Sequence, residues 1–249
     1  MFGSFFAVIK LYLVLLAVYC GSYKHLETHN SKVYEYLVGS HGNYTSVTLI
    51  IAHPDDEVMF FAPTLLQLDA RMAQSVPFRV VCLTDGDADG LGEVRRRELH
   101  KALRLLVLER DVEIQMGGFK DGMDEEWKME VVREELAQVV TDRRPLVLTF
   151  DERGVSGHRN HIACAHAAAK LGHHTLHLDS GHNLIRKYSF FFVDLFRLLF
   201  GYPMPTVFLS TFSQYLHSLV TMLVAHKSQM VWFRWGWWTA SRYVYANEF

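Results

Sequence analysis

The chain has 249 residues, half of them hydrophobic, which is enough for one well-packed α/β domain and too few for two. Twenty-five Lys and Arg stand against 27 Asp and Glu, a formal net charge of −2 with no basic stripe, and this excludes nucleic acid as a partner. Cys20, Cys82 and Cys164 are odd in number, far apart and without metal-binding spacing, so a disulfide framework is excluded and a reducing compartment fits.

The N-terminal segment from Phe5 to Gly21 is almost wholly apolar, broken only by Lys10. At about 1.5 Å per residue it nearly spans a hydrocarbon core of about 30 Å, which predicts a transmembrane helix within 1–22 and a linker over 23–44. A cleaved signal peptide competes with this reading, but Ala17 to Gly21 offers no small-x-small cleavage site, which favours a retained anchor. Lys24, His25 and Lys32 follow the apolar run, whereas only the free amine precedes it, so the positive-inside tendency puts the rest of the chain on the cytosolic side. The sequon Asn43-Tyr44-Thr45 would stay bare there.

Ser46 to Ile51 is short, β-branched and apolar, the pattern of a buried strand in a parallel sheet, and helical spacing resumes from Val58 to Arg71. Between them lies His53-Pro54-Asp55-Asp56-Glu57. The carboxyl end of a strand in an open α/β sheet is where ligands bind, and Pro54 pushes His53 toward extended backbone, which splays the side chains that follow into a crevice. Adjacent carboxylates in an apolar crevice repel unless a cation sits between them. For a bare Asp-Asp-Glu, an acidic helix N-terminus complementing the helix dipole would be the better explanation. A preceding His53 and a second histidine motif further on favour a metal.

Phe78 to Thr84 reads as the next strand, running into a loop with Gly86 and Gly90. Glu93–Leu108 is helical, Val112–Gln115 strand-like and Glu125–Asp142 a strongly patterned helix. Pro145 to Phe150 is another apolar strand, followed by Gly154-Val155-Ser156-Gly157-His158-Arg159-Asn160-His161 and then an Ala-rich helix from Ile162 to Leu171. If that helix has begun by His158, the two imidazoles share a face; if it begins later, one ligates while the other points across the site. His173, His174, His177 and His182 lack a strand-to-loop context and read as surface or packing residues. The chain from residue 45 onward thus alternates strands and helices as one domain, 45–249, with a Rossmann-like, mostly parallel sheet and helices on both faces.

A second apolar zone, Tyr188 to Leu209, contains Asp194, Arg197 and two prolines, which argue against a full span. It reads either as an interfacial segment or as a buried helix followed by a strand at 206–209. Val231 to Trp238 carries four of the five Trp, an arrangement that suits either a membrane-interface belt or core packing.

With these motifs in order, the chain resembles the PIG-L/LmbE-type de-N-acetylases. The likeness is carried by Ala52 to Glu57, by the Gly86, Gly90 and Gly92 loop leading into Arg95-Arg96-Arg97-Glu98-Leu99, by Phe119-Lys120-Asp121-Gly122 with Trp127, and by Thr149 to His161. Leu184 to Tyr188, His226-Lys227-Ser228-Gln229 and Trp232-Phe233-Arg234 are similar, more narrowly, to the family's eukaryotic branch, which acts in GPI-anchor biosynthesis at the endoplasmic reticulum. The helix end at Leu103–Leu108 lacks the family's usual Leu-Gly, and Lys120 stands where proline is common. Neither departure touches the histidine and carboxylate motifs.

The resemblance implies removal of acetate from the glycolipid N-acetylglucosaminyl-phosphatidylinositol by a zinc-dependent enzyme, with ferrous iron as the alternative metal. It implies a single-pass protein of the endoplasmic reticulum membrane whose catalytic domain faces the cytosol, and it names no protein partner. Carried over by motif, His53, Asp56 and His161 would ligate the metal, Asp55 would be the general base, and His158 would stabilise the oxyanion or protonate the leaving amine. Arg95, Asp121 and His226 would contact the sugar, inositol or phosphate, with a structural salt-bridge or capping role equally open for each. Two other readings stay open: a deacetylase of a non-lipid N-acetyl-sugar conjugate, and a non-catalytic membrane subunit that binds the glycolipid.

Overall fold

The computed structural model describes the backbone of residues 2–249 and, except at 2–5 and 8, their side chains. The chain enters through α1 (Phe2–Gly21) and α2 (Tyr23–Leu37). It then winds through β1 (Ser46–Ile51), α3 (Asp56–Met59), α4 (Ala62–Arg71), β2 (Phe78–Cys82), α5 (Gly92–Leu106) and β3 (Val112–Met116). After α6 (Met129–Val139) come β4 (Pro145–Phe150), α7 (Gly154–Gly157), α8 (Arg159–Ala169) and β5 (His174–Leu178). The remainder is α9 (Leu184–Lys187), α10 (Phe192–Leu199), β6 (Val207–Leu209), α11 (Phe212–Ala225), α12 (Trp232–Ala240) and β7 (Ala246–Glu248).

Five strands form one sheet in the order β3-β2-β1-β4-β5, every pairing parallel. All residues of β1 and of β4 are buried, so both faces of the sheet centre are covered, as the continuous apolar runs of these strands require. From β1 the chain builds β2 and β3 on one side, then returns to lay β4 and β5 on the other. The reversal opens a crevice beyond the carboxyl ends of β1 and β4, the position where open parallel sheets bind ligands. The expected α/β architecture with a mostly parallel sheet is therefore present.

Several elements differ from the sequence reading for local reasons. Residues 23–37 are not a linker but a helix whose Leu26, Asn30, Val33 and Leu37 recur on one face and are buried. Asn30 donates to the Leu209 carbonyl at 2.7 Å and accepts from its N–H at 2.9 Å, so a side-chain amide caps the exposed edge of β6 as a neighbouring strand would. The helix expected over 58–71 breaks at Phe60 and Phe61, because Pro63 in the first turn of α4 has no N–H to continue the ladder. The Asn247 amide takes the freed Phe60 carbonyl at 2.7 Å and accepts the Thr64 N–H at 3.1 Å, which ties β7 to this break. Strand β5 escaped prediction because it is half-buried, with only Leu176 and Leu178 facing the core between histidines. The 188–209 zone divides into α10 and β6, and buried Asp194 is held by the Arg242 guanidinium at 2.6 and 3.0 Å.

Among the described residues no helix is long and apolar enough to cross a membrane, so the fold gives no support to the anchor expected within 1–22. The C-terminal end of α1 is docked: Tyr19 is 2% exposed, stacks on Phe191 with ring centroids 4.6 Å apart and donates its hydroxyl to the Ser210 carbonyl at 2.6 Å. Further up the helix Phe6, Leu11, Leu13 and Val14 are exposed.

Candidate metal centre

The loop after β1 is held in a conformation that an unassisted chain would not choose. Asp55 has φ 123° and ψ −20°, a region sparsely populated by non-glycine residues and costing roughly 1–3 kcal/mol. Its N–H donates to Glu57 Oε2 at 3.0 Å, while Glu57 Oε1 pairs with His226 Nε2 at 2.5 Å, both side chains being fully buried. Its carboxylate is fixed in turn by Arg234 Nη2 at 3.0 Å and lies 3.5 Å from Arg95 Nη2. Backbone and side chain of Asp55 are thus both clamped, the backbone by neighbouring Glu57 and the carboxylate by Arg95 and Arg234 from two distant parts of the chain.

The loop after β4 is shaped by Asp151, which accepts the N–H groups of Arg153 and Gly154 at 3.1 Å each and that of Ser180 at 2.8 Å. Gly154 has φ 55°, and a Cβ there would lie 3.0 Å from the His161 Cβ and 2.9 Å from Ile162 Cγ1, so only glycine lets the loop pass beneath α8. His158 is the N-cap of α8, its Nδ1 accepting the Asn160 N–H at 3.3 Å. His161 lies in the first turn, stacked flat on Phe150 with centroids 3.9 Å apart.

These two loops bring His53, Asp56 and His161 into a group whose candidate ligand atoms all lie within 4.8 Å of one another, every residue buried. His161 Nδ1 sits 3.2 Å from the Gly154 carbonyl, which assigns the proton to Nδ1 and leaves Nε2 as a lone pair. That Nε2 is buried without a hydrogen-bond partner and faces Asp56 Oδ1 at 3.3 Å. On the other side His53 Nε2 is 2.9 Å from Asp121 Oδ1, so its Nδ1 is the free donor atom, 3.6 Å from Asp56 Oδ2. Ligand atoms about 2.1 Å from a tetrahedral zinc lie about 3.4 Å apart, which matches both separations. The residues therefore fit a divalent metal with two neutral nitrogens and one carboxylate, a donor set that leaves a coordination position for water.

Without a cation between them these groups perturb one another strongly. Burial alone would lower the His53 imidazole, but the carboxylates of Asp121 and Asp56 outweigh it and raise it to about 10. Burial would raise Asp56, yet His161 and His53 hold it well below the usual carboxylate range. His158 moves the other way, lowered to about 4 by burial and by repulsion from His161 and His53. Its ring lies 4.7 Å from that of His53 and 4.8 Å from that of His161, and as a neutral imidazole with Nδ1 accepting it offers an Nε2–H donor. Of the two roles open for His158, a neutral donor suits hydrogen bonding to an oxyanion.

A cavity of about 550 Å³ opens onto the cluster, lined by His53, Asp55, Asp56, His158 and His161 and walled by Tyr188, Phe233 and Trp237. Arg95 and Asp121 also line it, but both are engaged: Arg95 donates to the Gly86 and Pro54 carbonyls at 3.0 and 2.8 Å, and Asp121 holds His53. They buttress the site. His226 is not among the residues lining the cavity; it is fully buried on Glu57, which favours the structural role left open for it. Two residues went unassigned in the sequence reading. Arg234, which grips Asp55, was visible only as a cation amid tryptophans, and Glu57 as one more acid in its motif. A larger groove of about 660 Å³ between α2 and residues 201–205 is lined by no carboxylate.

Residues 48–171 match the family described as PIG-L, GlcNAc-PI de-N-acetylase. The N-acetylglucosaminyl-phosphatidylinositol de-N-acetylase of Saccharomyces cerevisiae is 35% identical over 98% of this chain and 93% of its own length. The enzyme of the same name from Bos taurus is 34% identical, covering 84% and 85%. Among solved structures, the N,N'-diacetylchitobiose deacetylase of Pyrococcus horikoshii aligns with a TM-score of 0.54 at 21% identity, over 85% of this chain and 82% of that one, a likeness of fold.

Proposed function

Because the chain belongs to the PIG-L family of GlcNAc-PI de-N-acetylases, we propose that it hydrolyses the acetamide of N-acetylglucosaminyl-phosphatidylinositol, giving acetate and glucosaminyl-phosphatidylinositol in GPI-anchor biosynthesis. The observation that carries this reading is the buried His53, Asp56 and His161 group at the floor of the cavity, with an uncoordinated carboxylate and an imidazole donor beside it.

His53 Nδ1, Asp56 and His161 Nε2 would hold the metal, zinc in our assignment, with ferrous iron accepting the same donors. When bound, such an ion polarises the amide carbonyl and lowers the pKa of water toward neutrality. Asp55 takes a proton from the attacking water as its oxygen bonds to the carbonyl carbon. Arg234 and the Glu57 contact keep that carboxylate aimed at the cavity instead of letting it fold into the Asp56 position. His158 Nε2–H supplies a hydrogen bond where negative charge develops on the carbonyl oxygen. When the C–N bond breaks, the proton held by Asp55 passes to the departing nitrogen, so the products are acetate and the free amine.

The test is acetate release by the purified full chain from N-acetylglucosaminyl-phosphatidylinositol and from the same headgroup without its acyl chains. Turnover of the lipid is expected, with loss on chelation and recovery with added zinc. Turnover of the delipidated compound alone would make the chain a deacetylase of a non-lipid conjugate. No turnover with metal bound would make it a binding subunit.

We further infer that the chain works at the endoplasmic reticulum membrane, attached through residues 1–22 as a single pass, with residues 45–249 in the cytosol. The apolar N-terminal run and the cations Lys24, His25 and Lys32 behind it support this. Asn43 is exposed, so a glycan would have access to it in the lumen. In intact microsomes the domain should be digested by added protease and Asn43 should stay unmodified; protection together with a removable glycan would reverse the orientation.

A further inference from the structure

We propose that the outer faces of α9 and α12 form a lipid-inserting rim that seats the mouth of the catalytic cavity on a phospholipid bilayer. Tyr188, just past the end of α9, and Phe233 and Trp237 of α12 wall the cavity and meet across it, Tyr188 and Trp237 lying edge to face with centroids 6.2 Å apart. On their outer sides Trp232 is 85% exposed, Ile185 76% and Leu184 73%. Three large apolar side chains that bare, on two segments whose neighbouring residues wall one cavity, exceed the scattered exposure ordinary for a water-facing surface.

The chemistry of the rim selects a bilayer as the occupant. Neither α9 (Leu-Ile-Arg-Lys) nor α12 (Trp-Phe-Arg-Trp-Gly-Trp-Trp-Thr-Ala) contains a carboxylate, so no anion has to be desolvated against lipid headgroups. Arg186 spends its charge on Asp179 and Glu248, at 3.2 and 2.6 Å, and Arg234 spends its own on Asp55. Lys187 donates to the Val155 carbonyl, and what remains on the outside, apart from Thr239, is aromatic and aliphatic, with Trp as the residue that prefers the headgroup boundary. The rim also continues into other exposed apolar surface. Phe190 N–H donates to the carbonyl of Ala240, the last residue of α12, at 3.2 Å, and two residues on α10 begins, with Phe196 52% and Leu199 46% exposed. From there Phe192 meets Tyr12 of α1 with centroids 6.4 Å apart. The belt therefore links the apolar N-terminal helix to the cavity mouth.

The inference rests on the proposed reading for its purpose: a substrate whose acyl chains stay in the bilayer offers its sugar only to a site whose mouth lies at the headgroups. It is tested with the full chain and two kinds of vesicle. In substrate-free phosphatidylcholine vesicles with brominated acyl chains, tryptophan emission should be quenched, and Trp232→Phe should remove part of the quenchable signal. In vesicles carrying the lipid substrate, the double variant Ile185→Ser/Trp232→Ser should lose on the order of tenfold or more in kcat/KM, the loss of apolar burial that these side chains would contribute. Its kcat/KM on the delipidated headgroup should be unchanged. Absence of quenching overturns the proposal and points to a protein as the partner of this face. Equal losses on both substrates, or none on the vesicle substrate, overturn it as well. Quenching by a chain that deacetylates neither substrate would remove the catalytic reading and leave the docking surface standing.

Discussion

His161→Ala is expected to strip the site of its metal and to abolish acetate release. The His161 imidazole is oriented twice over, by Gly154 on Nδ1 and by the Phe150 ring beneath it, and its Nε2 is the buried donor without a protein partner. Removing it leaves His53 and Asp56, and two protein donors are too few to retain a zinc ion through purification. Elemental analysis should give about one metal per chain for the unaltered protein and close to none for the variant. His53→Ala, on the other loop, should reproduce the result, while far-ultraviolet circular dichroism shows that the helices persist. Full metal occupancy in either variant would show that the ligands have been misassigned.

Where the fold was legible in sequence, the reason is that burial imposed a simple pattern. β1 and β4 lie in the middle of the sheet, fully buried, so apart from Ser46, Thr48 and Thr149 their side chains are apolar, and these short runs marked them without ambiguity. The ligands follow those strands directly and belong to two compact motifs, so their convergence required only that β1 and β4 be neighbours. β5 has one buried face and puts histidines among its leucines, which erases the alternation a strand reading needs. α2 was hidden differently: its buried stripe contains Asn30, a polar residue that belongs in the core only because it caps the β6 edge.

The residues behind the site were the least legible. His226 and Glu57 are 169 positions apart and fully buried against each other, and nothing local in either segment announces the pairing. A histidine beside Lys227 and Ser228 reads naturally as a substrate contact. Only the folded chain shows it pressing on the group that holds the strained Asp55 backbone. The same holds for Arg234, whose tryptophan-rich surroundings suggested a membrane interface while its guanidinium points inward to Asp55. Both segments thus brace Asp55 while presenting a different character along the sequence.

That support is what makes Asp55→Asn the sharpest probe of the chemistry. Asparagine tolerates left-handed backbone better than most residues, its side-chain oxygen still accepts from Arg234, and the main-chain N–H still reaches Glu57, so the loop should keep its shape. Asp55 lies outside the group of converging ligand atoms, so the metal should remain at the unaltered stoichiometry. What the amide cannot do is accept a proton from water and return it to the leaving nitrogen. Turnover should fall by about two to four orders of magnitude, the usual contribution of a positioned proton acceptor, with the loss in kcat and KM little changed. Metal analysis and acetate release on the same preparation separate the outcomes. Loss of the ion would make Asp55 a ligand, and near-normal turnover would remove it from the mechanism and leave proton transfer to another group lining the cavity.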